Sequence, residues 1–173
     1  MVLEKHKKKN LHVDGTNIFQ NEEDERNENG VAKILEREWN CEIRRWPKLH
    51  HIDWYAVKNG RISAFLELKC RYNHKDKYPT TYLPVAKWLS LHMVSSFGAV
   101  NPSPPGIFVV AFTDAKICWI SVRDVIADRF IFSSKGSDSG SPHVDRSPLQ
   151  PTIEVPVSKM NTISVEWDAS RLK

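Results

Sequence analysis

A β-hairpin between residues 52 and 71 constrains this chain more than any other feature of its sequence. Alternating apolar residues predict one strand over Ile52–Val57 and a second strand over Arg61–Arg71. The three residues between them, Lys58-Asn59-Gly60, favour a type I turn followed by a glycine bulge, with Gly60 in the left-handed conformation. The loop length decides which side chains share a face of the hairpin, because successive strand side chains point to opposite faces.

Charged residues lie near the beginning of the first predicted strand and near the end of the second, at the open end of the hairpin. With the three-residue loop, Asp53 pairs with Phe65 and shares a face with Glu67 and Lys69. A two-residue turn would instead pair Asp53 with Leu66 and place it on the opposite, apolar face. In the first register the two carboxylates are diagonal neighbours, about 7–8 Å apart at the backbone. They could then share one hard divalent cation, while Lys69 holds the attacking water or stabilises charge on a phosphate.

An aspartate, a short hairpin and a Glu-x-Lys element together resemble the PD-(D/E)XK nuclease superfamily. Asp53 corresponds to the aspartate and Glu67-Leu68-Lys69 to the triplet, although Ile52 replaces the proline of the motif. The resemblance covers about residues 21–122. It implies an α/β, restriction-endonuclease-like αβββαβ core, with a mixed central sheet flanked by helices. It also implies a Mg²⁺ or Mn²⁺ site made by Asp53 and Glu67, to which Leu68 can offer its carbonyl.

Two further site residues follow from the same resemblance. Many members of the superfamily add a glutamate from the first helix and a lysine or glutamine from the helix after the triplet. Glu28 is the best candidate for the glutamate, since it lies one turn before Val31 on the apolar face of the first predicted helix; Glu25 and Asp24 come next. Lys87 is the only basic residue of the predicted downstream helix. We therefore expect Glu28 to join the metal site and Lys87 to join the catalytic residues.

The other predicted elements complete a mixed α/β order. A helix is predicted over Glu22–Trp39, but Gly30 weakens it by about 1 kcal/mol relative to alanine, so its first half could be a separate turn. Further predictions are a strand over Cys41–Trp46, a helix over Leu83–Phe97 capped by Gly98, and strands over Ile107–Phe112, Ile117–Val122 and Thr162–Trp167. Residues 1–20 form a predicted basic arm, residues 21–173 a single nuclease-like domain, and residues 133–151 a mobile loop rich in Ser, Gly and Pro.

The positive charge of the chain is concentrated in its middle. The net charge is +4, yet residues 41–88 hold ten basic and four acidic residues, a local balance of +6. Such a segment suits contacts with nucleic-acid phosphates, although an ordinary solvated surface has the same composition. The candidate phosphate-binding residues are Arg44, Arg45, Lys48, Arg71, Lys75 and Lys77.

The leading interpretation is a metal-dependent phosphodiesterase, an endonuclease that cleaves DNA. Small members of the superfamily include Holliday-junction resolvases and phage or repair endonucleases, which are often homodimers. Duplex DNA, branched DNA and a homodimeric assembly are therefore all compatible with the resemblance. Two alternatives stay open: a non-catalytic nucleic-acid-binding module on the same fold, and a nuclease that acts on RNA.

Composition excludes several other classes of protein. The longest apolar run, Ile107–Phe112, is far shorter than the roughly 20 residues that span a bilayer. Three cysteines, none in a Cys-x-x-Cys pair, argue against a disulfide scaffold and a zinc ribbon. Without a charged-then-apolar leader, we expect a soluble protein of the cytoplasm, the host cytoplasm if the chain is viral, with no membrane contact.

Overall fold

Two α-helices and nine strands make up the regular structure in the part of the chain that the structure describes. The structure, a computed structural model, describes residues 22–47, 52–97, 103–125, 130–133 and 150–164. In chain order its elements are α1 Glu22–Trp39, β1 Glu42–Arg45, β2 Trp54–Lys58, β3 Arg61–Arg71, β4 Thr80–Pro84, α2 Val85–Phe97, β5 Gly106–Phe112, β6 Lys116–Ser121, β7 Phe130–Ser133, β8 Gln150–Pro156 and β9 Asn161–Ser164.

Six strands form the central sheet, in the order β1-β2-β3-β5-β6-β9. Strands β3 and β5 run parallel, with α2 on the connection between them, and the other neighbours are antiparallel. The predicted α/β class and αβββαβ order are therefore confirmed, with β4 as an addition between β3 and α2.

Helix α1 covers one face of this sheet. Its buried residues Val31, Ala32 and Leu35 follow helical spacing and pack with Leu66 and Leu68 of β3. The predicted helix bounds are confirmed, and the helix continues through Gly30 without a break. The separate turn that Gly30 could have caused does not form, because burial of the apolar stripe outweighs a helix-propensity cost of about 1 kcal/mol.

The opposite face of the central sheet packs against α2 and a second, three-stranded sheet. This smaller sheet has the order β4-β8-β7 and is antiparallel. Leu83 of β4, Leu91 of α2 and Ile153 of β8 are fully buried there, together with Phe108 of β5. The sequence pattern predicts the helix but neither β4 nor β8. Two cores, one on each side of the central sheet, give the protein three layers.

The hairpin turn differs from the predicted one. Lys58 pairs with Arg61, so the loop has two residues, Asn59 and Gly60, with φ angles of 53° and 72°. Two left-handed residues in succession are typical of a type I′ turn, whose twist matches that of the strands. The left-handed conformation of Gly60 is confirmed, and the three-residue loop is wrong.

A β-bulge in β3 compensates for the shorter loop. The register shifts where Val57 pairs with Ile62 and Ala56 with Ala64, which leaves Ser63 without an opposite residue. Beyond the bulge Trp54 pairs with Leu66. Asp53 therefore comes before β2 on the side of the sheet that Glu67 faces, and the predicted sharing of a face survives through a different backbone geometry.

Several predicted features lie outside the described residues: the arm over 1–20, the cap Gly98, Lys48, the chain after Ser164 and most of the loop over 133–151. The two ends of that loop, Ser133 and Gln150-Pro151, lie in paired strands. Among the described helices, none combines the length and apolar character needed to cross a membrane.

Candidate active site on the hairpin face

Asp53 and Glu67 form a carboxylate pair between the hairpin and α2. The carbonyl of Asp53 accepts a 2.8 Å hydrogen bond from the amide of Trp46, which fixes this residue beside the end of β1. Glu67 lies in the middle of β3, between β2 and β5, and its side chain is only 1% exposed. A buried carboxylate needs opposite charges close by, because removing it from water costs several kcal/mol.

Two lysines supply those charges. Lys69 Nζ lies 2.9 Å from Glu67 Oε1, as expected for neighbours on one strand face. Lys87 Nζ lies 3.1 Å from Glu67 Oε2 and 2.5 Å from Asp53 Oδ1. The structure therefore brings together four predicted site residues, two acids and two lysines: Asp53 just before β2, Glu67 and Lys69 on β3, and Lys87 on α2.

Burial and charge act in opposite directions on this cluster. Burial raises the pKa of Glu67 to about 7; Lys69 and Lys87 oppose that rise, and the Asp53 carboxylate adds to it. For Asp53 burial also favours the neutral form, but its contacts with the Glu67 carboxyl and the Lys87 ammonium outweigh burial and lower its pKa. Burial favours neutral Lys69, yet Glu67 beside it keeps its pKa above the ordinary value. Two neighbouring acids with opposite shifts are typical of a functional site.

The donor set fits a hard divalent cation. Neither oxygen of Glu67 accepts a well-formed hydrogen bond from a described residue, although both are buried. Their described partners are the ammonium groups of Lys69 and Lys87, and each carboxylate oxygen has a second lone pair with which it could accept a further bond or bind a cation. No cluster of three or more Asp, Glu, His or Cys side chains suited to a metal occurs in the described residues. Two carboxylates are enough for Mg²⁺, which usually keeps several waters of its own.

The structure does not bring Glu28 to this pair. Glu28 lies on α1, which packs on the sheet face opposite Glu67. Its Oε2 accepts a 2.7 Å hydrogen bond from Arg45 Nη2, and Arg45 also pairs with Glu25 at 3.3 Å. The guanidinium lies 4.6 Å from the ring centroid of Trp54. Sequence spacing found the buried face of α1 but could not show that an arginine from β1 binds Glu28.

Replacing Arg45 by alanine is expected to destabilise the protein by about 2 kcal/mol, because the change removes the 2.7 Å ion pair of the buried Glu28 carboxylate. Urea unfolding followed by tryptophan fluorescence measures this loss. Arg44→Ala is the matched control: Arg44 pairs with Glu42 at 2.5 Å, but both side chains are more than half exposed. Its effect should stay within about 0.5 kcal/mol. Equal losses in the two variants would contradict a structural role for Arg45.

The other predicted phosphate-binding residues occupy different surroundings. Arg44 and Arg71 fall on the sheet face that carries Glu67, on either side of the carboxylate pair. Arg71 donates to the carbonyl of Tyr82 at 3.2 Å. Lys75 Nζ lies 3.1 Å from Thr162 Oγ1, and Lys77 Nζ lies 5.2 Å from the ring centroid of Tyr78. The structure thus separates Arg45, which contacts α1, from Arg44 and Arg71, which lie on the sheet face that carries Glu67.

Three aromatic side chains adjoin the carboxylates, and sequence reasoning did not assign them to the site. The ring of Trp46 lies edge-on to Tyr55 at 4.8 Å and to Phe65 at 6.1 Å between centroids. Tyr55 pairs with Phe65, two residues before Glu67, so the group lines the same sheet face. Sequence pattern alone carries no signal that brings these three rings together, because Trp46 reaches the hairpin only through the pairing of β1 with β2.

Comparisons with known proteins find a matching family and a similar solved structure. A family described as "Phage putative PDDEXK endonuclease" matches residues 16–163. Among solved structures the chain is similar to Hjc, a Holliday junction resolvase from the archaeal hyperthermophile Archaeoglobus fulgidus. The TM-score is 0.41 and the identity 16%, over 73% of this chain and 80% of that chain. No curated protein matches the chain. The family match includes both helices and the whole hairpin, and the resemblance seen in Asp53 and Glu67-Leu68-Lys69 is confirmed: the chain belongs to the phage PDDEXK endonuclease family.

Proposed function

We propose that this protein is a metal-dependent endonuclease that cleaves DNA at the hairpin face. The observation that carries the proposal is the carboxylate pair: Asp53 and the buried Glu67 lie together, with two lysines against them. A surface ion pair would not need a glutamate that is 1% exposed. Membership of the PDDEXK family supports the assignment, since its nucleases generally use divalent metal ions.

In this proposal Asp53, Glu67 and the Leu68 carbonyl hold one Mg²⁺ or Mn²⁺. The bound cation would supply Lewis-acid polarisation of the phosphate and a more acidic water. The protein supplies fixed oxygen ligands, and burial of Glu67 keeps one ligand away from bulk water. Glu67 must be ionised to act as a ligand, so its pKa of about 7 gives protons a direct means of competing with the metal.

The lysines have a different role. The ammonium group of Lys69 contacts Glu67. In the proposed reaction it donates a hydrogen bond to the scissile phosphate or to the attacking water. It contributes positive charge and no metal ligand, so its removal should impair cleavage without preventing metal binding. Glu28 is bound to Arg45, and we therefore assign it an indirect role, through water or through Lys69, and no direct contact with the metal.

DNA binding is expected to weaken steeply as salt rises, because basic side chains that contact phosphates displace condensed counterions. Each neutralised phosphate of duplex DNA adds a slope of about −0.9 to the plot of log affinity against log salt. Fluorescence anisotropy in EDTA from low to moderate salt measures that slope without cleavage. Arg44→Ala should make this negative slope shallower by more than removal of residues 1–10 does. An affinity that stays flat across the salt range would contradict the phosphate-binding surface.

The activity itself is tested by incubating the protein with supercoiled plasmid, a four-way DNA junction and a single-stranded RNA. Each substrate is given Mg²⁺, Mn²⁺ or EDTA. Cleavage of DNA with either cation and none in EDTA is the expected result. Cleavage of RNA alone would show that the protein is an RNA nuclease. Binding of nucleic acid without cleavage would favour a non-catalytic binding module. Sedimentation of the protein with the junction tests the predicted homodimer.

A further inference from the structure

Lys87 contacts both acids of the candidate metal site. Its ammonium nitrogen lies 2.5 Å from Asp53 Oδ1 and 3.1 Å from Glu67 Oε2. A cation shared by these two carboxylates would need the same two groups. Together with Lys69, Lys87 brings the charge of the cluster to zero, so a dication added to it would meet two ammonium groups at close range.

The two lysines are held in different ways. Lys69 lies two residues after Glu67 on β3, and its ammonium approaches Oε1 from the same strand. Lys87 comes from a separate element and reaches across to the hairpin with a flexible four-carbon chain. A rotation of that chain can withdraw its ammonium while the strands stay in place. Lys69 forms its ion pair with Glu67, whereas Lys87 occupies both acids that a shared cation would need.

The position of Lys87 in α2 supports the same distinction. It is the third residue of the helix, in a first turn that contains no acidic residue. The N-terminal turn of a helix carries a partial positive charge and disfavours a cation there. Asp53 and Glu67 therefore hold this ammonium against the helix dipole, and when a metal neutralises them the attraction falls while the repulsion remains.

We propose that Lys87 is an exchangeable counter-ion of the metal site: its ammonium neutralises Asp53 and Glu67 in the metal-free protein and leaves when the divalent cation binds. The inference rests on the proposed function, because it assumes that these two carboxylates hold the metal. In this inference Lys87 lowers the affinity of the site for the metal, in addition to any contact that it makes with phosphate. The apparent metal affinity is lowered by the fraction of molecules in which Lys87 is bound to the carboxylates.

Calorimetric titration of Mn²⁺ into the intact protein tests this inference without DNA and without turnover. Lys87→Met should bind Mn²⁺ about tenfold more tightly than the wild type, or more, because the competing ammonium is gone. Lys69→Met should show a smaller gain, and Lys58→Met, at the exposed end of β2 beside the turn, should show none. Lys87→Gln provides a second variant if the methionine protein folds poorly. Thermal melting adds an independent measurement, in which Mn²⁺ should raise the melting temperature of Lys87→Met more than that of the wild type.

The outcomes separate the inference from the function on which it rests. Tighter binding by both Lys87 variants, or binding by them alone, supports the exchange. If the wild type binds Mn²⁺ and the Lys87 variants bind it equally or more weakly, the exchange is wrong while the metal site stands. If neither the wild type nor any variant binds Mn²⁺, both the exchange and the proposed metal site are wrong.

Discussion

Replacing Glu67 by alanine is expected to abolish metal-dependent DNA cleavage, with a loss of about a thousandfold or more in the single-turnover rate. Glu67 is the buried member of the carboxylate pair, and it contacts both Lys69 and Lys87. Its loss removes one of the two charged ligands proposed for the cation and leaves two ammonium groups facing a single acid. Mn²⁺ binding, measured by calorimetry, should be lost together with cleavage.

Asp53→Asn should give a similar loss of cleavage with a smaller change in shape. The amide keeps the size of the side chain and removes the charge that attracts both Lys87 and the cation. DNA binding measured in EDTA should stay close to the wild-type value in both variants, which shows that they fold. Glu42→Ala, an exposed acid on β1, is the control and should cleave normally. Wild-type cleavage by Asp53→Asn or Glu67→Ala would disprove the site and favour a binding module.

The second large effect is on stability and concerns Gly106 at the start of β5. A Cβ at this position would lie 2.8 Å from the carbonyl oxygen of Leu91, 2.8 Å from Ser95 Oγ and 2.9 Å from Val122 Cγ2. Gly106→Ala is therefore expected to destabilise the protein by about 3 kcal/mol, because α2 and β5 must separate to admit the methyl group. Urea unfolding measures the change in the free energy of unfolding.

Gly30→Ala is the matched control for this substitution. Gly30 lies inside α1, and apart from its chain neighbours and the helix backbone no described atom lies within 4 Å of the position that a Cβ would occupy. The same chemical change should therefore stabilise the protein by about 0.5–1 kcal/mol, through higher helix propensity. Opposite signs for the two alanine variants would show that the approach of α2 to β5 sets the cost at Gly106. A loss below about 1 kcal/mol at Gly106 would contradict the close contact.

The features that local sequence predicts well are those whose cause is local. The bounds of α1 follow from the spacing of Val31 and Leu35, and the two hairpin strands follow from their alternation. The shared face of Asp53, Glu67 and Lys69 was also correct, although the loop was not. A three-residue loop and a two-residue turn followed by a one-residue bulge both place Asp53 on the face of Glu67. The pattern of polar and apolar residues could therefore not distinguish these two hairpins.

The features that sequence reasoning missed depend on partners distant in the chain. Strand β4 pairs with β8, about 70 residues later, and neither strand has a strong pattern of its own. The pairing of Arg45 with Glu28 joins β1 to α1 across the sheet edge, and the contact of Lys87 with Asp53 joins α2 to the hairpin. Residue type and helical spacing selected both Lys87 and Glu28 as site candidates. The structure places Lys87 against Asp53 and Glu67, and it places Glu28 against Arg45.

The bulge at Ser63 decides which residue of β3 lies opposite Asp53. If the bulge were lost while the two-residue turn and the sequence stayed the same, Asp53 would fall opposite Leu66, and the two carboxylates would lie on different faces of the sheet. Deletion of Ser63 avoids that conflict, because Trp54 can still pair with Leu66 in a regular ladder. The Ser63 side chain is therefore dispensable for the pairing of the carboxylates, whereas a one-residue slip of β3 past β2 would separate them and turn Leu66 and Leu68 out of the core.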